Sequence, residues 1–215
     1  RQMCIRDRYN NLGNAMQAIG EVREAIAFYQ EAVRRRPGYA DAITNLGAAW
    51  QALGERDQAM ACFHEALRLQ PGLVHARGNV ANVLAADRRH DEAVALFREI
   101  LAESPDSAET WNNLGNSLQE LGRFDEAMHA YARALAVNPS YYLVHNNVGN
   151  TLRRQGRYEE AIAEYRQALA AKPDFVEALN NQAVALADLG RPAEAVELYE
   201  RAHAIKPTSV SYTHL

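Results

Sequence analysis

Asparagine returns in this 215-residue sequence at intervals of 34, as Asn11, Asn45, Asn79, Asn113, Asn147 and Asn181. A second series, Asn14, Asn82, Asn116 and Asn150, follows three residues behind, with Ala48 and Val184 in its two remaining places. A carboxamide carries two donor hydrogens and one acceptor oxygen, which matches the needs of a peptide bond. It does not titrate in the physiological range, so its chemistry is recognition by hydrogen bonding, above all of another chain's backbone. Asparagine is also a mediocre helix former, because its amide competes for nearby backbone groups. So regular a row raises the question of which elements carry it and where they aim it.

Other chemistries lack the residues they need. There is no glycine-rich phosphate loop after a strand, no H-E-x-x-H pair and no C-x-x-C. We therefore expect no catalytic site, no metal and no cofactor. Cys4 and Cys62 give no disulfide framework, and Cys62 reads as a small packing residue. A net charge of −4 is too mild to imply a polyanionic partner. No apolar run approaches the roughly 18 residues of a membrane span, and the opening string RQMCIRDR lacks the apolar stretch of a signal peptide. The 48% hydrophobic and 23% charged content is that of an ordinary folded chain, and its cysteine usage fits a cytoplasmic setting. Of 23 basic residues only Lys172 and Lys206 are lysine, which with abundant alanine points to a GC-rich bacterial genome.

The elements that must position the asparagines show the same period. Prolines stand at 37, 71, 105, 139, 173 and 207, each 34 residues from the next. Gly20, Gly54, Gly122, Gly156 and Gly190 keep step, as do Ala25, Ala59, Ala93, Ala127, Ala161 and Ala195. An aromatic ring follows each of these alanines by four residues: Tyr29, Phe63, Phe97, Tyr131, Tyr165 and Tyr199. With each proline as position 32, the repeats run 6–39, 40–73, 74–107, 108–141, 142–175 and 176–209. Positions 4, 7, 8 and 11 share one face of a first helix, and positions 20, 21, 24, 27 and 28 one face of a second. Glycine near position 15 ends the first helix, acids at 18 and 19 suit the positive start of the second, and proline stops it. Each pair leaves apolar surface that only a stacked neighbour covers.

This pattern resembles the tetratricopeptide repeat, W-x2-L-G-x2-Y, then A-x3-F, then P. The fourth unit carries it as Trp111, Leu114, Gly115, Leu118, Ala127, Tyr131 and Pro139. The resemblance covers residues 9–207 and implies an all-α, right-handed superhelical solenoid of six helix-turn-helix units. Positions 2, 6, 9 and 13 share the first-helix face opposite the apolar stripe. In such solenoids that face lines the concave wall, so the ten asparagines are expected to form a ladder there for an extended peptide. Helix pairs stack roughly 10 Å apart and an extended chain rises about 3.3 Å per residue, so one rung meets about every third residue. Acids at position 2, such as Asp41, Glu109 and Glu177, argue against nucleic acid.

The fragment is thus expected to be a protein-binding scaffold, not an enzyme. Its long uniform units also look like the repeat region of O-GlcNAc transferases and related bacterial glycosyltransferases. That resemblance implies, as the alternative, a substrate-recognition arm whose asparagines hold the substrate backbone, with the catalytic domain outside this chain. Residues 1–8 and 210–215 break the pattern and read as non-native end sequence. The terminal repeats, with uncovered apolar faces, invite self-association. In the third unit Arg88 replaces the turn glycine and Ile100 a small residue. Arg153 and Arg154, at positions 12 and 13, are candidates for reading acidic partner side chains or for a solvated pair.

Overall fold

The computed structural model describes residues 2–206, and each 34-residue period within it folds as a helix, a tight turn and a second helix. The helices are α1 (Gln2–Ala18), α2 (Val22–Arg35), α3 (Ala40–Ala52), α4 (Arg56–Leu69), α5 (Val74–Ala86) and α6 (His90–Glu103). They continue as α7 (Ala108–Glu120), α8 (Phe124–Val137), α9 (Tyr142–Arg154), α10 (Tyr158–Ala171), α11 (Val176–Asp188) and α12 (Pro192–Ile205). No strand occurs among the described residues. The stretch 210–215 lies outside them, while α1 already begins at Gln2, within the stretch 1–8.

The punctuation works as its chemistry demands. Gly20, Gly54, Gly122, Gly156 and Gly190 take φ between 73° and 87°, the left-handed region that side chains resist. Each turn closes as a Schellman motif; at Gly122, for example, the Arg123 amide reaches Leu118 O at 2.9 Å and Gly122 N reaches Gln119 O at 3.0 Å. Arg88 adopts the same conformation, with φ 63°, and keeps the same two bonds, Arg89 N to Leu84 O and Arg88 N to Ala85 O. The turn therefore survives loss of its glycine at a conformational cost. At the other end of the second helix, the residue before proline is extended, as at Arg36 (φ −144°, ψ 91°) and Lys172 (φ −141°, ψ 91°). Proline excludes the helical conformation from its predecessor.

Packing within a repeat turns on one ring and one small residue. Tyr29, Phe63, Phe97, Tyr131 and Tyr165 are all buried. A Cβ on Gly47 would stand 2.6 Å from the Phe63 ring, and one on Gly149 would stand 2.5 Å from that of Tyr165. Glycine at position 8 thus lets the two helices close over the ring. Cys62 is half-buried between the Tyr29–Leu46 and Ile43–Leu73 clusters, and burial raises its thiol pKa, as suits a packing residue.

The chain divides into two compact units, Arg1–Glu103 and Ser104–Leu215. The boundary falls at the end of the third repeat, the one with Arg88 and Ile100. In the first unit, α2 packs on α3 and α4 on α5; in the second, α8 packs on α9 and α10 on α11. First helices also touch, α1 with α3 and α3 with α5 in one unit, α7 with α9 and α9 with α11 in the other. Within each unit, second helices of neighbouring repeats do not touch among the described residues. Each stack is thus closer on its first-helix side.

Candidate functional site

The asparagines lie on these first-helix faces: Asn11, Asn14, Asn45, Asn79 and Asn82 in the first unit, and Asn113, Asn116, Asn147, Asn150 and Asn181 in the second. Their faces open to solvent to different degrees. Asn11 and Asn14 are exposed and the other eight are half-buried.

Position 6 reaches back one repeat. Asn45 Nδ2 donates to Asn10 Oδ1 at 3.0 Å and to Asn14 Oδ1 at 3.3 Å. Asn147 Nδ2 donates to Asn112 Oδ1 at 2.9 Å, and Asn181 Nδ2 to Asn146 Oδ1 at 3.0 Å. The acceptors at position 5, Asn10, Asn112 and Asn146, are buried polar residues. Without these bonds they would carry the penalty of an unsatisfied buried group. Asn112 Nδ2 also donates to Asn113 Oδ1 at 3.2 Å. By contrast, Asn11 and Asn79 make no side-chain hydrogen bond among the described residues.

Position 9 reaches across to the second helix of its own repeat. The Tyr29, Tyr131 and Tyr165 hydroxyls each donate to the Oδ1 of Asn14, Asn116 and Asn150 respectively, all at 2.8 Å. Burial raises the Tyr29 and Tyr131 phenol pKa values and pushes Tyr165 to about 12, so all three stay protonated donors at neutral pH. Tyr29 Oη also lies 2.9 Å from Gln17 Oε1. One hydroxyl hydrogen serves one oxygen, and the half-buried Gln17 is free to offer its nitrogen to the phenol instead.

The charged end of the face in the second unit is internally paired. Arg154 Nη1 meets Glu120 Oε1 at 3.1 Å and Arg153 Nη1 meets Asp188 Oδ2 at 3.6 Å, each joining neighbouring repeats. Thr151 Oγ1 lies 2.5 Å from Gln119 Oε1 and extends the same junction. Both arginines thus have carboxylate partners within the chain.

The hydrogen bonds that tie these asparagines to their neighbours were not read from the sequence. The position-5 asparagines and the tyrosines were not singled out as part of the site. The signal was partial: Tyr29, Tyr131 and Tyr165 accompany an asparagine at position 9 and Phe63 accompanies Ala48, but Phe97 accompanies Asn82 and Tyr199 accompanies Val184. Among the described residues no cluster of histidine, cysteine, aspartate or glutamate is arranged to hold a metal, and no helix is long and apolar enough to cross a membrane.

Comparison with known proteins agrees with this architecture. Among solved structures, a chain of the APC/C hetero-tetramer Cut9–Hcn1 superposes with a TM-score of 0.87 at 17% identity, over 95% of this chain and 41% of that one. The chain thus spans less than half the length of that neighbour. PilW, a type IV pilus biogenesis factor, gives 0.87 at 21% identity over 95% of both chains. YrrB, which has an unusual peptide-binding site, gives 0.60 at 22% identity over 84% of this chain and 93% of its own. No curated protein matches the sequence. Tetratricopeptide repeat family profiles match residues 18–78, 72–140, 112–174 and 147–210; with the paired helices, the ring-over-glycine packing and the 34-residue period, the chain belongs to the tetratricopeptide repeat family.

Proposed function

We propose that this chain is a protein-recognition scaffold that holds an extended segment of a partner against its first-helix faces. Asn11, Asn45, Asn79, Asn113, Asn147 and Asn181 form the main row of backbone contacts, with Asn14, Asn82, Asn116 and Asn150 beside it. One observation carries the reading. The bonds that tie Asn45, Asn147 and Asn181 to the preceding repeat use only their nitrogens, leaving each Oδ1 unbonded on a face still open to solvent. The amides are held in orientation without being used up. The likeness to YrrB, a repeat protein with a peptide-binding site, supports the same class of ligand.

Each rung contributes little, about 0.5–1.5 kcal/mol per hydrogen bond, so affinity requires several at once. Contacts to backbone carry little side-chain information, and the face is permissive about sequence. A substrate-selecting arm of an O-GlcNAc transferase-like glycosyltransferase would use this face in the same way. A sugar-nucleotide domain encoded next to the array would decide for that role.

The test uses the rungs whose removal breaks no bond. A 12-residue peptide selected on the wild-type chain from a random display library is measured by fluorescence anisotropy against Asn11→Ala and Asn79→Ala. Each substitution should weaken binding about three- to tenfold with the melting temperature unchanged. Undiminished affinity in both variants places the ligand elsewhere and ends the proposal.

A further inference from the structure

The two asparagine rows are not interchangeable, because the bonds that orient them consume opposite ends of the carboxamide. Both hydrogens of Asn45 Nδ2 are taken, by Asn10 Oδ1 and Asn14 Oδ1. That same Asn14 oxygen also receives the Tyr29 hydroxyl. Asn45 is left with an acceptor and Asn14 with donors. Turning Asn14 over would set its N–H groups against those of Asn45, and turning Asn45 over would set its oxygen against Asn10 Oδ1.

The second unit repeats the arrangement in part, with one amide hydrogen engaged at Asn147 and at Asn181 and one donor on the oxygen of Asn116 and of Asn150. Asn147 and Asn181 each give an N–H to the preceding repeat and keep their oxygens open. Asn116 and Asn150 have their oxygens engaged by Tyr131 and Tyr165, and their amide hydrogens meet no acceptor among the described residues. We infer that the face reads a bound backbone with a preferred polarity: Asn45, Asn147 and Asn181 accept partner N–H groups, and Asn14, Asn116 and Asn150 donate to partner carbonyls. This rests on the proposed peptide-binding function and adds what that function leaves open, the class of chain accepted. The ligand is an extended polypeptide that offers a free N–H at each register facing Asn45, Asn147 or Asn181. Proline, whose nitrogen has no hydrogen, is excluded at those registers and tolerated between them.

The test alters the ligand and leaves the protein intact. The library-selected 12-residue peptide is synthesised as a series with a single N-methyl group at each successive backbone nitrogen. Binding of each to the wild-type chain is measured beside binding of the parent peptide to Asn11→Ala and Asn79→Ala. Methylation should weaken binding about three- to tenfold at a regularly spaced subset of positions and by less than twofold at the rest. A flat methylation profile for a peptide that still depends on Asn11 and Asn79 overturns the polarity and leaves the peptide-binding face standing. A peptide indifferent to Asn11 and Asn79 overturns both.

Discussion

The two compact units are built on one 34-residue plan and wire the same face differently. In the second unit, position 5 is Asn112, Asn146 and Asn180, and both internal junctions carry an asparagine-to-asparagine bond. In the first, position 5 is Asn10, Thr44 and Gly78. Asn10 serves Asn45, but the Thr44 hydroxyl donates back to Ala40 O at 2.9 Å, and Asn79 has no side-chain partner among the described residues. The ends of the first helices differ likewise. Ala18, Ala52 and Ala86 stand where the second unit has Glu120, Arg154 and Asp188, linked through Arg153 and Arg154. A rung is therefore a staple or an open hand according to the residue one place before its equivalent in the preceding repeat. The second unit ties its repeats through asparagine pairs and the two arginines, whereas the first uses Asn45 at one junction and the Arg56–Asp87 ion pair at the other.

The largest effects should be equal in the two units, since both place a buried ring over glycine. Phe63→Ala and Tyr165→Ala should each cost about 3–5 kcal/mol. The sequence's two tryptophans, Trp50 and Trp111, fall one in each unit, so urea unfolding followed in single-tryptophan variants reports the units separately. Costs that differ by more than about 2 kcal/mol would mean the units do not share one core design.

The next effect should separate them. Asn147→Ala strands the buried Asn112 oxygen and should cost about 1–3 kcal/mol. Asn79→Ala breaks no bond and should stay within about 0.5 kcal/mol. Equal costs would erase the distinction between stapled and open rungs.

The repeat, the helix pairs and the face were legible because each depends on spacing along one chain. Proline every 34 residues and glycine before five of the six second helices settle where helices end, and a period of 3.6 settles which residues share a side. The partner of each amide was not legible. The bond from Asn147 to Asn112 spans 35 residues and one repeat boundary, and its existence depends on how closely two first helices approach. The doubled letters at Asn112–Asn113 and Asn146–Asn147 look like one tract, yet Asn112 and Asn146 are buried and accept from the next repeat, whereas Asn147 donates to the previous one and Asn113 accepts from Asn112. Arg153 and Arg154 show the same limit. Their charges are obvious in sequence, and their partners Asp188 and Glu120 lie in the next and the previous repeat. Arg88 was visible as a missing glycine, whereas its adoption of the glycine conformation was not.

That residue gives a smaller test confined to the first unit. A left-handed conformation costs a residue with a Cβ roughly 1–2 kcal/mol, part of which glycine returns through its greater freedom when unfolded. Arg88→Gly should therefore stabilise the unit reported by Trp50 by about 0.5–1 kcal/mol and leave the Trp111 transition in place. A loss of stability would show that the arginine side chain contributes more than its backbone costs.

The smallest difference is electrostatic and has a definite sign. Hydrogen bonds from Arg34 and Arg35 hold Glu31 down to about 2, and Arg68, Arg89 and Arg77 lower Glu65, Glu92 and Glu103 in the same way. In the second unit Arg157 and Arg191 lower Glu160 and Glu194. A carboxylate with a depressed folded-state pKa binds fewer protons folded than unfolded. Its stabilisation is therefore complete above the unfolded value near 4 and is lost as pH falls toward the folded one. Each of the six carboxylates keeps access to solvent, so each contributes little and salt screens it. Acidification from about pH 5 to pH 2 should lower the urea midpoint of the Trp50 transition more than that of the Trp111 transition, by a margin that shrinks in high salt. A larger acid loss at Trp111 would place the stronger charge coupling in the second unit, where Arg153 and Arg154 join neighbouring repeats, and would make the carboxylates that span repeats more important than those paired within one helix.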